Sequence, residues 1–362
     1  MLCSLFLSLL SLSLTTGEQI SPAPAYYPRL AALLPLSPSG TPLTAAVVET
    51  PTPALRRLVL LTRSLSGAWV PGSVVASAPT DAAGSVDLAN GHLLQLPNGT
   101  LLCAYRHHNG TGAARTYRLQ LAASSDLGQT WQLAATITSG PTGVWEPFLF
   151  LDPAAAPSRV RVAYAAELTN GGEQDIVLRS SSDGGASWGP IDSRLHTPGS
   201  RNGMPGVAVL PADGSLLLVC EGFWGNAWGH FAVGSARSWD GGATWLQHSV
   251  VHAPAAPANA GSPQVAVHSS GSSVCAVFMS SEGVSQQHAW PDGAHTVLLC
   301  AAVSATNASQ PIDWQAAAPS VLGTATPYSY WPSFAPHHTG GLGVAYQGSD
   351  SAAYYVEQAA AP

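Results

Sequence analysis

Short apolar runs, rather than long amphipathic stretches, dominate the hydrophobic pattern of this chain. Mainly apolar runs of four or five residues recur at 101–105, 160–164, 216–220, 274–278 and 343–346. Some of them follow a turn signal, such as Pro97-Asn98-Gly99. Short runs of this kind, bounded by Gly, Pro and Asn, predict β-strands. No long segment has the periodicity of an amphipathic helix, so we predict an all-β protein.

A polar segment between the apolar runs occurs three times. It reads Ser-Ser-Asp-Leu-Gly-Gln-Thr-Trp at 124–131, Ser-Ser-Asp-Gly-Gly-Ala-Ser-Trp at 181–188 and Ser-Trp-Asp-Gly-Gly-Ala-Thr-Trp at 238–245, so that its final Trp returns every 57 residues. A fixed period of this length indicates a repeat architecture. The Asp can accept hydrogen bonds from the turn amides, the Gly supplies a positive φ, and the Trp begins the return strand. We therefore predict that Asp126, Asp183 and Asp240 stabilise hairpins rather than take part in chemistry.

Periodic prolines and degenerate copies of the polar segment together predict six repeats of four strands. A second periodic signal is a proline that follows Tyr27, Glu146, Met204, Ser262 and Trp331, with Asn90-Gly91 at the corresponding place in the second repeat. We expect each proline to open the first strand of its repeat, where no ladder donor is needed. We call the repeated polar segment an Asp box. Degenerate copies of this box at 64–69 and 304–314 close the first and fifth repeats. An N-terminal segment is expected to complete the last sheet. The prediction is a six-bladed β-propeller with four-stranded blades, spanning 18–362 without a linker.

The N-terminal segment, the glycosylation sequons and the cysteines suggest an extracellular protein. Residues 1–17 are apolar and uncharged, too short to span a bilayer, and are interpreted as a signal peptide, so we expect a secreted protein. Candidate glycosylation sequons start at Asn98, Asn109 and Asn307. Cys275 and Cys300 fall in neighbouring strands of one repeat and could form a disulfide. Cys103 and Cys220 fall in non-adjacent repeats and are expected to be buried thiols.

Composition excludes several classes of partner. Charged residues make up 9% of the chain, every one of the 13 basic residues is Arg, and the net charge is −7. There is no basic patch, which argues against nucleic acid as a partner. No later segment is apolar enough to span a membrane, and no cofactor motif or CxxC pair is present, so neither a cofactor nor a metal is predicted. Nothing indicates an oligomer interface, and we expect a monomer.

Aligning the repeats identifies candidate site residues. In a propeller, the start of strand one and the end of strand two converge on one mouth of the central axis. Alignment on the turn glycine places Arg106, Glu221, Phe278 and Gln347 at the end of strand two, with Glu167 close by, and Arg29, His92, Glu146, Gln264 and Trp331 at the start of strand one.

Glu146 and Glu221 are the strongest candidates, because both adjoin apolar or aromatic residues that should raise a carboxyl pKa. A pair of carboxylates is the machinery of glycoside hydrolysis. The alternative is that each is a buried carboxylate that pairs with an Arg or accepts backbone amides, and both descriptions can hold together. Arg106 and Arg201 could bind sugar hydroxyls or a carboxylate, or neutralise the two Glu.

Aromatic and histidine residues near these positions are candidates for substrate binding. Trp145, Tyr330 and Trp331 could stack on sugar rings, as could Phe223, Trp224 and Trp228, although blade packing is the commoner role of such residues in a propeller. His107-His108 and His337-His338 invite a metal interpretation, but no Cys or second spaced acidic ligand accompanies them. We therefore assign these histidines to loops or to the rim of the pocket, and His107 to substrate binding.

The Asp boxes resemble those of the sialidase superfamily across nearly the whole mature chain. Sialidases use three arginines on the substrate carboxylate, an Asp acid and a Tyr–Glu nucleophile pair. The resemblance would fill these roles with Arg29, Arg106 and Arg201, with Asp87, and with Tyr330 beside Glu221. However, Tyr-Pro-Arg at 27–29 departs from the Arg-Ile-Pro of sialidases.

Two motifs resemble more closely the exo-arabinanases of glycoside hydrolase family 93. These are Trp145-Glu146-Pro147-Phe148 and the segment from Gly203-Met204-Pro205 to Glu221, and the 75-residue separation of the two Glu is similar to that in the family. The resemblance implies a retaining enzyme that releases arabinobiose from α-1,5-linked arabinan. It implies Glu221 as nucleophile and Glu146 as acid/base, with the reverse assignment open. The Gly-Phe-Trp-Gly that follows Glu221 departs from the family pattern.

Three functions follow, in order of preference. The first is a secreted, exo-acting, arabinanase-like glycoside hydrolase that acts on a poly- or oligosaccharide. The second is a non-catalytic carbohydrate-binding propeller with the same boxes and aromatic residues. The third is an exo-sialidase.

Overall fold

The apolar runs form strands, and the strands form a ring of blades. The computed structural model describes residues 17–34, 43–63, 67–80, 85–152, 159–168, 173–224, 230–268, 270–284, 289–303, 310–336 and 341–358. Residues 1–16 of the expected signal peptide, Asn307, Trp228, His337 and His338 lie outside these ranges, as do parts of both degenerate boxes.

Within the described residues there are six antiparallel sheets of four strands, which confirms the predicted fold. The first blade contains β2 (Tyr26–Leu33), β3 (Leu43–Glu49), β4 (Leu55–Arg63) and β5 (Trp69–Pro79). The second contains β6 (Asp87–Gln95), β7 (Leu101–His108), β8 (Tyr117–Ser124) and β9 (Gln132–Gly140). The third contains β10 (Val144–Asp152), β11 (Arg159–Ala166), β12 (Asp175–Ser181) and β13 (Ile191–Leu195). The fourth contains β14 (Gly203–Val209), β15 (Leu216–Gly222), β16 (Ala232–Ser238) and β17 (Leu246–His252). The fifth contains β18 (Ala260–Val267), β19 (Ser273–Ser280), β20 (His295–Ala302) and β21 (Ser320–Val321). The sixth contains β22 (Ser329–Pro336), β23 (Leu342–Gly348) and β24 (Ala353–Gln358), with β1 (Glu18–Ser21) as its outer strand.

The first strand of each blade lies innermost, and successive inner strands contact one another around the axis, with β22 returning to β2. As predicted, an N-terminal segment completes the last sheet, because β1 pairs with β24. Two single turns of 3₁₀ helix, Gly112–Ala114 and Trp314–Ala316, are the helical elements of the described residues.

The core lies between the faces of neighbouring blades. Leu121 of the second blade and Val162 of the third, for example, are fully buried in one cluster. Cys275 and Cys300 lie opposite each other on β19 and β20 and form the expected disulfide. Cys103 and Cys220 are buried free thiols.

The Asp boxes form the predicted hairpins between third and fourth strands. Asp126 Oδ1 accepts from the Thr130 amide at 2.9 Å, and its Oδ2 accepts from the Thr130 hydroxyl at 2.6 Å. The same contacts recur at Asp183 and Asp240. These hydrogen bonds lower the pKa of each Asp carboxyl to about 2. Each carboxylate is therefore used by its own turn.

Candidate active site

Every inner strand carries a β-bulge at the same level of the axis. The residues at the six bulges have positive φ, between 44° and 54°, and they are Tyr27, Asn90, Glu146, Met204, Ser262 and Trp331. Five of them precede a proline, which disfavours the right-handed helical region for the residue before it and donates nothing to the ladder. The expectation that these prolines open the strands is therefore corrected: Pro147, for example, is the fourth residue of β10, where the bulge leaves the ladder unpaired.

The bulges turn backbone amides toward carboxylates of the preceding blade. The Asn90 amide donates to Glu49 Oε1 at 3.0 Å, and the Ser262 amide donates to Glu221 Oε2 at 2.7 Å. The Met204 amide donates to the Glu146 carboxylate in the same way. Glu146 and Glu221 thus lie at the same mouth, together with a third carboxylate, Glu49.

Sequence alignment missed Glu49. In the sheet register, Glu49 opposite Tyr26 is equivalent to Glu221 opposite Gly203, each one pair before the bulge. The signal was present in the sequence, because Glu49 follows the apolar run of β3 as Glu221 follows the apolar run of β15.

Burial raises the pKa of these carboxyl groups. The pKa of Glu221 rises from its ordinary value of 4.5 to about 7, chiefly through burial and then through the nearby charge of Glu146. Burial also raises the pKa of Glu49 to about 7, against the opposing effect of Arg106. Glu146 shifts in the same direction for the same reason. A carboxyl group with a pKa near neutrality can hold a proton at physiological pH and donate it.

Arg106 connects this group to a second set of charges. Its Nη1 lies 3.7 Å from Glu146 Oε1, and its Nε lies 3.1 Å from Asp87 Oδ2. Asp87 also lies 3.5 Å from Arg115. The Arg106 guanidinium is 5.4 Å from the centre of the Trp145 ring. Arg106 therefore favours the ionised form of Glu146, and Asp87 is engaged by two arginines.

Arg29 and Arg201 occupy opposite levels of the mouth. Arg29 is 6% exposed, and its Nη1 donates to the carbonyls of Trp331 and Pro332 at 3.0 and 3.1 Å. Burial lowers its pKa to about 10. The side chain of Arg201 is 39% exposed, and its Nη2 lies 3.5 Å from Glu167 Oε1. Arg29 thus forms part of the floor, whereas Arg201 faces the opening.

Aromatic rings flank the carboxylates on two sides. Tyr27 and Trp331, at adjacent bulges of the first and sixth blades, have ring centres 4.8 Å apart. On the other side, a β-carbon placed on Gly261 would lie 2.4 Å from Glu221 Oε2 and 3.1 Å from Trp290 Cζ2. Gly261 therefore leaves the space that Glu221 and Trp290 share. Tyr27 and Trp290 were not among the predicted site residues.

Four predicted residues lie below this mouth or away from it. His92 lies beyond its bulge, where Nδ1 accepts from the Leu149 amide at 3.1 Å. Burial lowers the pKa of His92 to about 3, so the ring is neutral. Gln264 also follows its bulge and is buried. His107 contacts Gln120 on the neighbouring strand at 2.7 Å. The bulge separates His92 from the carboxylates, whereas Gln264 lines the small cavity below the mouth that Glu146 also bounds.

Tyr330 is the fourth of these residues. It packs inside the fifth and sixth blades against Met279 and Ala294, and its hydroxyl accepts from the Gly293 amide at 3.4 Å. The structure therefore places Tyr330 in blade packing and shows no contact between its hydroxyl and Glu221.

A large cavity along the axis lies on the other side of a constriction. It has a volume of about 810 Å³, and residues such as Leu30, His92 and Phe334 line it, whereas none of the three Glu does. Between it and the mouth, the cavity bounded by Arg29, Asn90 and Glu146 holds only about 10 Å³. Although large apolar cavities are the usual first candidates for a binding site, we place the site at the mouth because the carboxylates converge there.

Two other kinds of feature are absent from the described residues. No group of three or more His, Cys, Asp and Glu side chains in them is placed to hold a metal ion. In the same residues, no helix has the length and apolar character needed to cross a bilayer.

Comparison with known proteins identifies the fold. No protein-family model matches the sequence, and no curated protein matches it. Among solved structures, the α-L-arabinanase of Penicillium chrysogenum complexed with arabinobiose is similar, with a TM-score of 0.66 and 20% identity over 94% of this chain and 98% of that one. The family 93 α-L-arabinofuranosidase of Fusarium graminearum with arabinobiose gives 0.65 and 20% over 94% and 97%. The leech intramolecular trans-sialidase gives 0.67 and 12% over 95% and 70%. The resemblance to sialidase-like and family 93 propellers is thereby confirmed at the level of the fold.

Proposed function

We propose that this protein is a secreted glycoside hydrolase that cleaves sugar from the end of an oligo- or polysaccharide, with Glu146 and Glu221 as its catalytic pair. The observation that carries the proposal is the convergence of these two carboxyl groups at one mouth, both with raised pKa values and with the charge of Glu146 acting on Glu221. One group holds a proton for the leaving oxygen while the other, ionised, acts at the anomeric carbon. Perturbed carboxyl pairs of this kind concentrate at functional sites.

The roles within the pair follow from different considerations. In the free protein, Arg106 beside Glu146 favours its ionised form, and burial favours a proton on Glu221. The family resemblance implies the opposite assignment, with Glu221 as nucleophile. Azide rescue of Glu146→Gln and Glu221→Gln, measured on an activated aryl glycoside, distinguishes the two assignments. Loss of the acid/base gives a glycosyl azide with the substrate's configuration, and loss of the nucleophile gives the inverted one.

An exo mode is supported by the shape of the axis. At Glu146 the axis narrows to a cavity of about 10 Å³ that Arg29 and Asn90 also bound, which leaves no room for a sugar ring. A chain end that enters the mouth stops at this floor, next to Glu146 and Glu221. Products should therefore be short and of uniform size.

Arabinan is the proposed substrate, and a sialoside is not favoured. Both similar arabinose-acting proteins contain arabinobiose. A sialidase needs arginines that converge on the substrate carboxylate. Here Arg29 is buried and donates to two carbonyls, and Arg106 is engaged by Asp87 and Glu146.

The test is product analysis on debranched arabinan, sialyllactose and a mixed glycan panel, using the wild type, Glu146→Gln and Glu221→Gln. We expect a single small product from arabinan and at least about a thousandfold loss in each variant. Glu357→Gln is the matched control, because Glu357 pairs with Arg63 at the opposite end of the sixth blade. Free sialic acid as the product would contradict the substrate, and binding without turnover would identify a carbohydrate-binding propeller.

A further inference from the structure

A second pocket adjoins the carboxylate site on top of the fifth blade. It has a volume of about 360 Å³ and lies between the loop that precedes β18 and the loops at either end of the β19–β20 connection. This volume is in the lower part of the range for small-molecule sites, about 300–1,000 Å³. Trp290 lines this pocket, and Cζ2 of the same ring lies 3.1 Å from the position of a β-carbon on Gly261, beside Glu221. The pocket and the carboxylate site therefore share a boundary.

Hydrogen bonds between the two loops build the floor of this pocket. The Ser281 amide donates to the Asn259 carbonyl at 2.9 Å, and the Asn259 amide donates to the Ser281 hydroxyl at 3.0 Å. The Asn259 side chain in turn accepts from the Phe231 amide at 2.7 Å. The floor is thus fixed before any ligand arrives, which reduces the entropy lost on binding.

Two exposed carboxylates determine what this pocket accepts. Glu282 and Asp292 line it, and no Arg is found among its described lining residues. Glu282 is also 2.8 Å from His252. Carboxylates accept hydrogen bonds from hydroxyl groups, and they repel an anionic sugar. An aromatic wall with such acceptors suits a ring that has an apolar face and a hydroxylated edge.

We propose that this pocket is a subsite for neutral sugar units of the substrate that lie beyond the bond being cleaved, with Trp290 as its stacking wall. The proposal rests on the proposed function for its reaction, but it concerns binding and can be tested without turnover. It adds a prediction that the catalytic pair alone does not make: affinity should increase with chain length until the pocket is filled. It also limits the substrate to uncharged chains at this position.

The experiment is calorimetric titration of a Glu221→Gln background with a graded series of linear arabino-oligosaccharides. We expect affinity to rise with chain length, and Trp290→Ala to remove about tenfold for the longer chains and less for the shortest. Trp290→Phe should restore most of the loss. Because Trp290 also packs on Met279 and Tyr330, Asp292→Asn provides an independent variant on an exposed side chain, with an expected severalfold loss. Trp239→Ala is the aromatic control, since Trp239 is 41% exposed in an Asp box on the opposite face.

The outcomes separate this proposal from the proposed function. Length-independent affinity, or equal loss in the Trp239 and Trp290 variants, overturns the subsite even if arabinan is hydrolysed. If binding depends on chain length and on Trp290 but the wild-type protein has no hydrolase activity, the subsite is supported and the proposed hydrolase function is refuted. Equally tight binding of an acidic oligogalacturonide overturns the restriction to neutral sugars. No binding of any oligosaccharide overturns the subsite.

Discussion

A single added methyl group at Gly261 tests the geometry of the proposed site. A β-carbon there would lie 2.4 Å from Glu221 Oε2, whereas ordinary contacts begin at 3.4 Å, so the carboxylate must retreat by about 1 Å. The retreat would also stretch the 2.7 Å hydrogen bond from the Ser262 amide. A displacement of about 1 Å at a reacting group can lower the rate by about a hundredfold. We therefore expect Gly261→Ala to lower kcat by about two orders of magnitude.

Two other glycines provide graded controls for this variant. A β-carbon on Gly203 would lie 3.1 Å from Glu221 Oε1, so a shift of a few tenths of an ångström accommodates it, and Gly203→Ala should lose activity only severalfold. A β-carbon placed on Gly140 would have no atom within 4 Å, so Gly140→Ala should behave as the wild type. Overpacking costs about 1–3 kcal/mol of stability, so thermal unfolding of each variant must accompany the kinetics. Wild-type kcat in folded Gly261→Ala would refute the placement of Glu221 at the reacting centre.

Three further predictions concern stability and its dependence on pH. Because burial raises the pKa of Glu49 from 4.5 to about 7, the folded state binds this proton more tightly; its stabilising contribution is present below about pH 4.5 and is lost as pH rises to about 7. Glu49→Gln should flatten this part of a stability profile measured by chemical unfolding, and an unchanged profile would contradict it. Asp183→Ala should lower the melting temperature while kcat per folded molecule stays unchanged, because its carboxylate bonds only its own turn; a loss of kcat would show a role in the site. Reduction of the Cys275–Cys300 disulfide should destabilise the protein by about 3 kcal/mol in unfolding titrations, and an equal effect of reductant on Cys275→Ala would exclude this cause.

The fold was predictable because its signals are local and repeated. The Asp of each box acts within one hairpin, and apolar runs of strand length alternate with turn residues. Closure by β1 was predictable from the general tendency of propellers rather than from any residue in 18–21. The disulfide followed from the positions of Cys275 and Cys300 in adjacent strands.

The site residues were predictable only where the sequence revealed the pairing register of the strands. Alignment on turn glycines placed Glu146 and Glu221 at the mouth, but it gave no place to Glu49. The bulges were read as strand starts, because a proline is compatible with both. As a result, His92 and Gln264, which follow their bulges, were expected at the mouth although they lie below it. Such errors come from long-range pairing, which a local pattern does not contain.

Pairing of β1 with β24 determines when the protein can first become active during its synthesis. During synthesis β1 emerges before the other strands of the ring and stays unpaired until β24 is made, which leaves an exposed strand edge for that interval. Arg29 likewise depends on carbonyls of Trp331 and Pro332, which are 302 and 303 positions away. The floor of the mouth therefore forms only when the ring closes. A nascent chain, or one that lacks β24, should have no partial activity, so turnover would report that the whole ring has been made and closed.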